Sequence, residues 1–188
     1  MAFHHIALVT NDLAATHRFY TEAMGFTLAK VVIGPTENPQ GWARHVFYET
    51  GDGLMAFWEL HDDALPTVDP ALSTGIGLPG WVNHLAFAVG PEGLGPHRER
   101  WLAYGIDVVE VDHGFCVSIY ANDPNGTLVE WCSDTRPLDE HDRAEAEALL
   151  FDPAPRHDPA PDVTVHSASQ PTLRRTATTD GGDALRQH

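Results

Sequence analysis

Residues 4–13 read HHIALVTNDL, and residues 83–94 read NHLAFAVGPEGL. Each stretch carries a histidine followed by alternating large and small apolar residues, and then a turn that can start a helix. Such recurrence at a fixed spacing marks an internal repeat, and the elements around it repeat as well. A run closed by Asn11-Asp12 predicts a strand over 3–10. Asp12 or Asn11 then caps a helix with Leu13, His17, Phe19 and Tyr20 on its buried face, ended by Gly25. Strands are predicted over 26–33, 42–50 and 54–60, the last two joined by the tight turn Gly51-Asp52-Gly53. After a stretch rich in Pro, Gly, Asp and Thr the pattern restarts. A strand over 81–89, a helix over 92–104 and strands over 106–111, 115–121 and 127–132 follow, with Pro124–Gly126 as the last turn.

A second recurrence sets LMAFWEL (54–60) against TLVEWC (127–132), which places Glu59 opposite Glu130. The predicted fold class is α+β, built from two βαβββ modules: module one over 1–62, a linker over 63–80 and module two over 81–134. A C-terminal helix is expected over 135–151 and a disordered tail over 152–188. The tail's Pro-, Thr- and Asp-rich composition lacks the apolar surface that offsets ordering entropy. Its histidines, His157, His166 and His188, carry no functional expectation.

The chain has 188 residues, 43% of them hydrophobic, enough for one real core. Its formal net charge is −16 and its only lysine is Lys30, which argues against nucleic acid or an anionic membrane as partner. Two cysteines, Cys116 and Cys132, make no disulfide framework. With no signal-like opening and no bilayer-length apolar run, a cytoplasmic location is expected.

His5 and His84 sit inside apolar strands, where a polar ring needs a partner. Glu59 lies among Phe57, Trp58 and Leu60, and Glu130 between Val129 and Trp131; a carboxylate buried there calls for a cation or a shifted pKa. One bound divalent ion answers these demands together, and His plus carboxylate donors with open positions suit Fe(II), Mn(II), Zn(II) or Ni(II). His4 and His5 point to opposite faces of their strand, and His5 is the one aligned with His84. Glu59 reads three ways: a fourth ligand, a base beside the metal, or an ordinary strand-end carboxylate. The aromatic residues Trp42, Phe47, Phe57, Trp58, Phe87, Phe115 and Trp131 line an apolar pocket or simply fill the core.

The segments FHHIALVTNDL (3–13), FYTEAMGF (19–26), NHLAFAV (83–89) and SIYANDPNGTLVEW (118–131) resemble the vicinal oxygen chelate superfamily. That superfamily includes glyoxalase I, fosfomycin-resistance proteins, methylmalonyl-CoA epimerase and type I extradiol dioxygenases. The resemblance covers residues 3 to 133. It implies that the two modules form an open barrel around one metal, with His5, His84 and Glu130 as ligands and Glu59 at the position of a fourth. A homodimer acting on a small molecule is the expected assembly. Asp112-His113-Gly114 and Ser118-Ile119-Tyr120 resemble the end of an extradiol dioxygenase site, although His113 fits only with a shortened hairpin, and many ring-cleavage enzymes carry two module pairs. Fe(II)-dependent oxygenation of a catechol-like substrate is therefore expected, with His113 as acid/base and Tyr120 as hydrogen-bond donor. His113 also reads as a polar turn residue and Tyr120 as a packed aromatic. Two alternatives stand beside this: a lyase or isomerase of glyoxalase type, in which Glu59 or Glu130 moves the proton, and a metal-free drug-binding protein.

Overall fold

The structure, a computed structural model, describes residues 3–168. Module one runs β1 (His5–Val9), α1 (Leu13–Arg18, continuing as a wider π turn over Phe19–Ala23), β2 (Thr27–Pro35), β3 (Trp42–Glu49) and β4 (Leu54–His61). Module two runs β5 (His84–Ala88), α2 (Leu94–Tyr104), β6 (Val108–Asp112), β7 (Cys116–Asn122) and β8 (Leu128–Asp134). The Asp12 side chain accepts the Ala15 N–H and caps α1, as its sequence position predicts.

After β8 the expected helix forms as α3 (Glu140–Leu149), with an Asp139/Asp142 capping box. The expectation of a disordered tail fails over Asp162–His166, which form β9 against β6. The segment's own composition is poor, but the free edge of β6 offers it a complete ladder of backbone partners. The rest of the expected tail, 169–188, lies outside the described residues. Among the described residues no helix is long and apolar enough to cross a membrane.

The strands form two separate mixed sheets, ordered β1-β4-β3-β2 in module one and β5-β8-β7-β6-β9 in module two. In each module the first strand runs parallel to the last and the rest are antiparallel. The fold is α+β with two βαβββ repeats, but the sheets do not close into a barrel. β1 and β5 are each the outer strand of their sheet.

One face of each sheet packs on the helices. Ile6, Leu8, Met55, Phe57, Val46 and Tyr48 from sheet one meet Phe19 and Tyr20; Val108, Ile119, Val129 and Trp131 from sheet two meet Trp101 of α2. The modules share this core, with Phe26 edge-on to Phe87 and Trp131 at ring-centroid separations of 5.1 and 6.0 Å. A buried polar lock joins them too. Asp123, in the turn before β8, accepts the Tyr20 hydroxyl at 2.9 Å and the backbone N–H groups of Asn125 and Thr127. Asn125 accepts the Thr10 hydroxyl at 2.8 Å. This fastens the Asp-Pro-Asn-Gly turn of module two to the first strand and helix of module one.

Candidate metal centre

Alternation along each strand decides which side chains share the face turned away from the helices. In sheet two, Leu85 and Phe87 join the core, so His84 and Ala86 lie on the opposite face. Glu130 pairs with Ala86 on one side and with Tyr120 on the other, and paired residues share a face. His84, Glu130 and Tyr120 therefore converge by register.

The His84 Nε2 atom lies 3.1 Å from Glu130 Oε2. At the other side of the ring, His84 Nδ1 lies 3.1 Å from the Trp81 carbonyl oxygen, an atom that only accepts. Nδ1 must carry the proton for that bond, which leaves the Nε2 lone pair facing a carboxylate. Glu130 is only 5% exposed. Two electron-rich atoms at hydrogen-bond distance, one on a buried carboxylate, require a cation or a shared proton between them. A backbone carbonyl that orients a histidine so that its other nitrogen points inward is also the usual outer support of a metal-binding histidine. His84 and Glu130 thus fit a divalent ion.

Tyr120 lies beside this pair, its ring 6.3 Å from that of His84. Its hydroxyl is 3.0 Å from His113 Nε2, and either atom can donate. Burial pushes the Tyr120 phenol up to about 12, with the Glu130 charge adding to the rise, so it remains protonated at neutral pH. The structure brings His113, Tyr120, Glu130 and His84 into one chain of neighbours.

His5 does not join them within the chain. Among the described residues no three His, Cys, Asp or Glu side chains stand close enough to hold one ion. His5 lies on the same kind of face in sheet one, its ring 6.0 Å from Phe47 and its Nδ1 2.7 Å from His4 Nδ1. A cleft of about 690 Å³ separates the outer strands of the two sheets and is lined by His5 and Leu54 on one side and His84 and Ala86 on the other.

Glu59 is not the counterpart of Glu130. His5 pairs with Leu54 and Ala7 with Ala56; in module two His84 pairs with Leu128 and Ala86 with Glu130. The residue level with Glu130 is Ala56, which has no donor atom. Glu59 lies on the helix-side face, in line with Met55 and Phe57, where it forms an ion pair with Arg44 and lies 2.9 Å from His61 Nε2. Aligning the two glutamates by their nearness to the strand end hid a three-residue offset.

One polar residue of the His5 face escaped the sequence reading. His45 stacks on Trp58 at 3.7 Å, and its buried Nε2 has no hydrogen-bond partner among the described residues. Burial, with His5 nearby, lowers its pKa. Alternation along 42–49 would have put His45 and Phe47 on the His5 face once the register of β3 was known. On the sheet-two face, Cys116 is a buried free thiol pushed up to about 11 by burial and by neighbouring Cys132.

The model of the Glyoxalase/Bleomycin resistance protein/Dioxygenase superfamily matches residues 2–131. No curated protein matches the chain. Several solved structures share its fold. A glutamate-to-glutamine mutant of the fosfomycin resistance protein FosX from Listeria monocytogenes, complexed with Mn(II) and 1S,2S-dihydroxypropylphosphonic acid, is 18% identical; the match covers 74% of this chain and 96% of that one with a TM-score of 0.52. FosX from Mesorhizobium loti is 19% identical over 74% and 95% of the two chains, with a TM-score of 0.51. The structure of SMU.1112c is 24% identical over 70% and 98%, also at 0.51.

Proposed function

The chain belongs to the Glyoxalase/Bleomycin resistance protein/Dioxygenase superfamily, and from that premise we propose that it is a divalent-metal-dependent enzyme acting on a small molecule, with His5, His84 and Glu130 as its metal ligands. The observation that carries this is the His84 Nε2 to Glu130 Oε2 contact at 3.1 Å, with the other imidazole nitrogen committed to a carbonyl. A divalent ion there supplies Lewis acidity and a template for two adjacent substrate oxygens. Two histidines and one carboxylate, with Ala56 at the fourth place, leave positions open for substrate. The Mn(II) named in the Listeria FosX complex makes Mn(II) a reasonable occupant beside Fe(II).

The chain's own groups do the rest. Tyr120 holds a proton toward a substrate oxygen, and His113, hydrogen-bonded to it, accepts or returns a proton. Glu130 would hold the ion together with His84, whose Nε2 lies 3.1 Å from its carboxylate. We favour an extradiol-dioxygenase-like oxygenase for a catechol-like compound, because the His113–Tyr120 pair abuts the ligand carboxylate. A lyase or isomerase of glyoxalase type uses the same donors and the same proton movers; the absence of a donor at Ala56 removes its four-ligand form.

His5 belongs to the outer strand of one sheet and His84 to that of the other, and among the described residues neither edge pairs with a further strand. We place the complete site across two copies, the β1 edge of one against the β5 edge of its partner. The test is protein purified without oxygen, reconstituted with Fe(II) or Mn(II), and assayed for oxygen uptake with a catechol panel. Uptake with Fe(II) supports the oxygenase. Metal binding without uptake, joined to turnover of a hemithioacetal, moves the assignment to the lyase. Failure to retain any divalent ion overturns both and leaves a binding protein.

A further inference from the structure

β9 lies beyond residues 2–131, which the family model matches, yet it widens the sheet face that carries Glu130. Antiparallel partners point to the same face. Glu130 pairs with Tyr120, Tyr120 with Val109 and Val109 with Val165, so these four make one row across four strands. Cys132, Ser118, Val111 and Val163 make the next row by the same rule. Val109, Val163 and Val165 are 37%, 58% and 63% exposed.

The reverse side of β9 is polar and tied down. His166 Nε2 lies 2.9 Å from Glu110 Oε2, Arg98 of α2 reaches the same carboxylate at 2.6 Å, and the Ala168 N–H donates to Asp107 at 2.7 Å. The strand is thus fixed from behind, while its valines face the same way as the proposed ligands. Val109 and Val165 continue the row of Glu130 and Tyr120 without a break, and Val163 stands beside them in the next row on the same face, so what binds at the polar end runs onto them.

We propose that Val109, Val163 and Val165 form an apolar shelf that binds the hydrophobic part of the substrate, making β9 a specificity strand. This rests on the reading that the Glu130 face holds the ion and the reacting oxygens. Strands stand ~4.8 Å apart, so three intervals put β9 on the order of 14 Å from the strand of Glu130. The ligand is therefore elongated: an oxygen-chelating head at His84 and Glu130, and an alkyl or aryl tail lying across β6 and β9.

The test uses 4-n-alkylcatechols from methyl to octyl, titrated calorimetrically under nitrogen into Mn(II)-loaded protein and into the V163T/V165T variant. Threonine keeps the β-branched shape and the strand preference, and circular dichroism checks that the fold is retained. In the wild type, affinity is expected to rise about fourfold for each methylene that the shelf buries. In V163T/V165T that rise flattens, while the methyl member binds as before. A flat series in the wild type, no binding by any member, or an unchanged rise in the variant overturns the shelf. So does a dimer that dissociates in V163T/V165T with the rise unchanged, since the valines then face a second copy. Mn(II) binding to wild type and to Glu130→Gln, read by electron paramagnetic resonance on the same samples, separates this failure from failure of the metal site. Loss of Mn(II) only in Glu130→Gln keeps the site while the shelf falls, and Mn(II) affinity unaltered by Glu130→Gln overturns the site.

Discussion

Glu130 and Glu59 stand on the last strands of the two modules, and the face each occupies separates what they can do. Glu130 is buried, opposes His84 Nε2 and, among the described residues, has no arginine paired with it. Glu59 is held by Arg44 and His61 on the helix side. Removing a direct ligand is expected to weaken binding by more than the roughly 10- to 100-fold that loss of an outer-shell partner costs. Glu130→Gln should therefore abolish tight Mn(II) binding, and Glu59→Gln should leave it within about threefold, because it changes charge on the wrong face. Titration of both variants followed by electron paramagnetic resonance checks this; equal losses would restore Glu59 to the site. That His84 and Glu130 stand together was legible in the sequence because each is a polar residue in an apolar strand. The place of Glu59 was not legible, because register depends on where each hairpin turn ends. Leu54 and Leu128 lie level with their histidines, so Glu130 stands two residues past that level and Glu59 five.

At the scale of elements, β9 shows how little a strand's own sequence has to supply. Asp162–His166 carries two valines, a threonine and two ionisable residues, and it follows a Pro-rich run. By composition it reads as tail, and only the free edge of β6 and the carboxylate of Glu110 recruit it. Strands with their own alternating apolar set, such as β3 and β7, were readable because their burial stabilises them locally; β9 was not, because its partners lie far away in sequence. Its fastening is pH-dependent. Burial pulls the Glu110 carboxyl upward, but hydrogen bonds and charges from Arg98 and His166 outweigh it and hold the carboxyl below its ordinary range. A depressed carboxylate contributes stability that is present above its unfolded pKa and lost as pH falls through the folded one. β9 should therefore loosen only in acid, below the usual carboxylate range, and Glu110→Gln should loosen it at neutral pH by about 1 kcal/mol, the scale of a partly exposed ion pair. Hydrogen exchange of the β9 amides measures both effects. Protection unchanged in Glu110→Gln would show that the backbone ladder alone holds the strand.

For the whole molecule, the shared core and the site make opposite demands. Asp123, Tyr20, Thr10 and Asn125 lock the two modules together, and Phe26 packs edge-on against both Phe87 and Trp131, so the angle between the sheets is fixed by buried contacts. That arrangement leaves His5 and the His84–Glu130 pair on two free edges flanking a cleft, with no three donors together among the described residues. Moving the sheets into contact within one chain would break the lock. Docking a second copy requires no such rearrangement, because an isologous pairing puts the β1 edge of each chain on the β5 edge of the other and forms two identical sites. Mixed subunits decide between these arrangements. His5→Ala and Glu130→Gln each destroy every site in a pure dimer. In a mixed dimer across which sites are shared, both lesions fall in one site, and the other combines an intact His5 with an intact His84 and Glu130. Denaturing and refolding an equal mixture should therefore recover about a quarter of the wild-type Mn(II) capacity, since half the dimers are mixed and each regains one site of two. If His5, His84 and Glu130 meet within one chain, every subunit in the mixture carries a lesion in its own site, and the refolded protein binds no more Mn(II) than the separate variants.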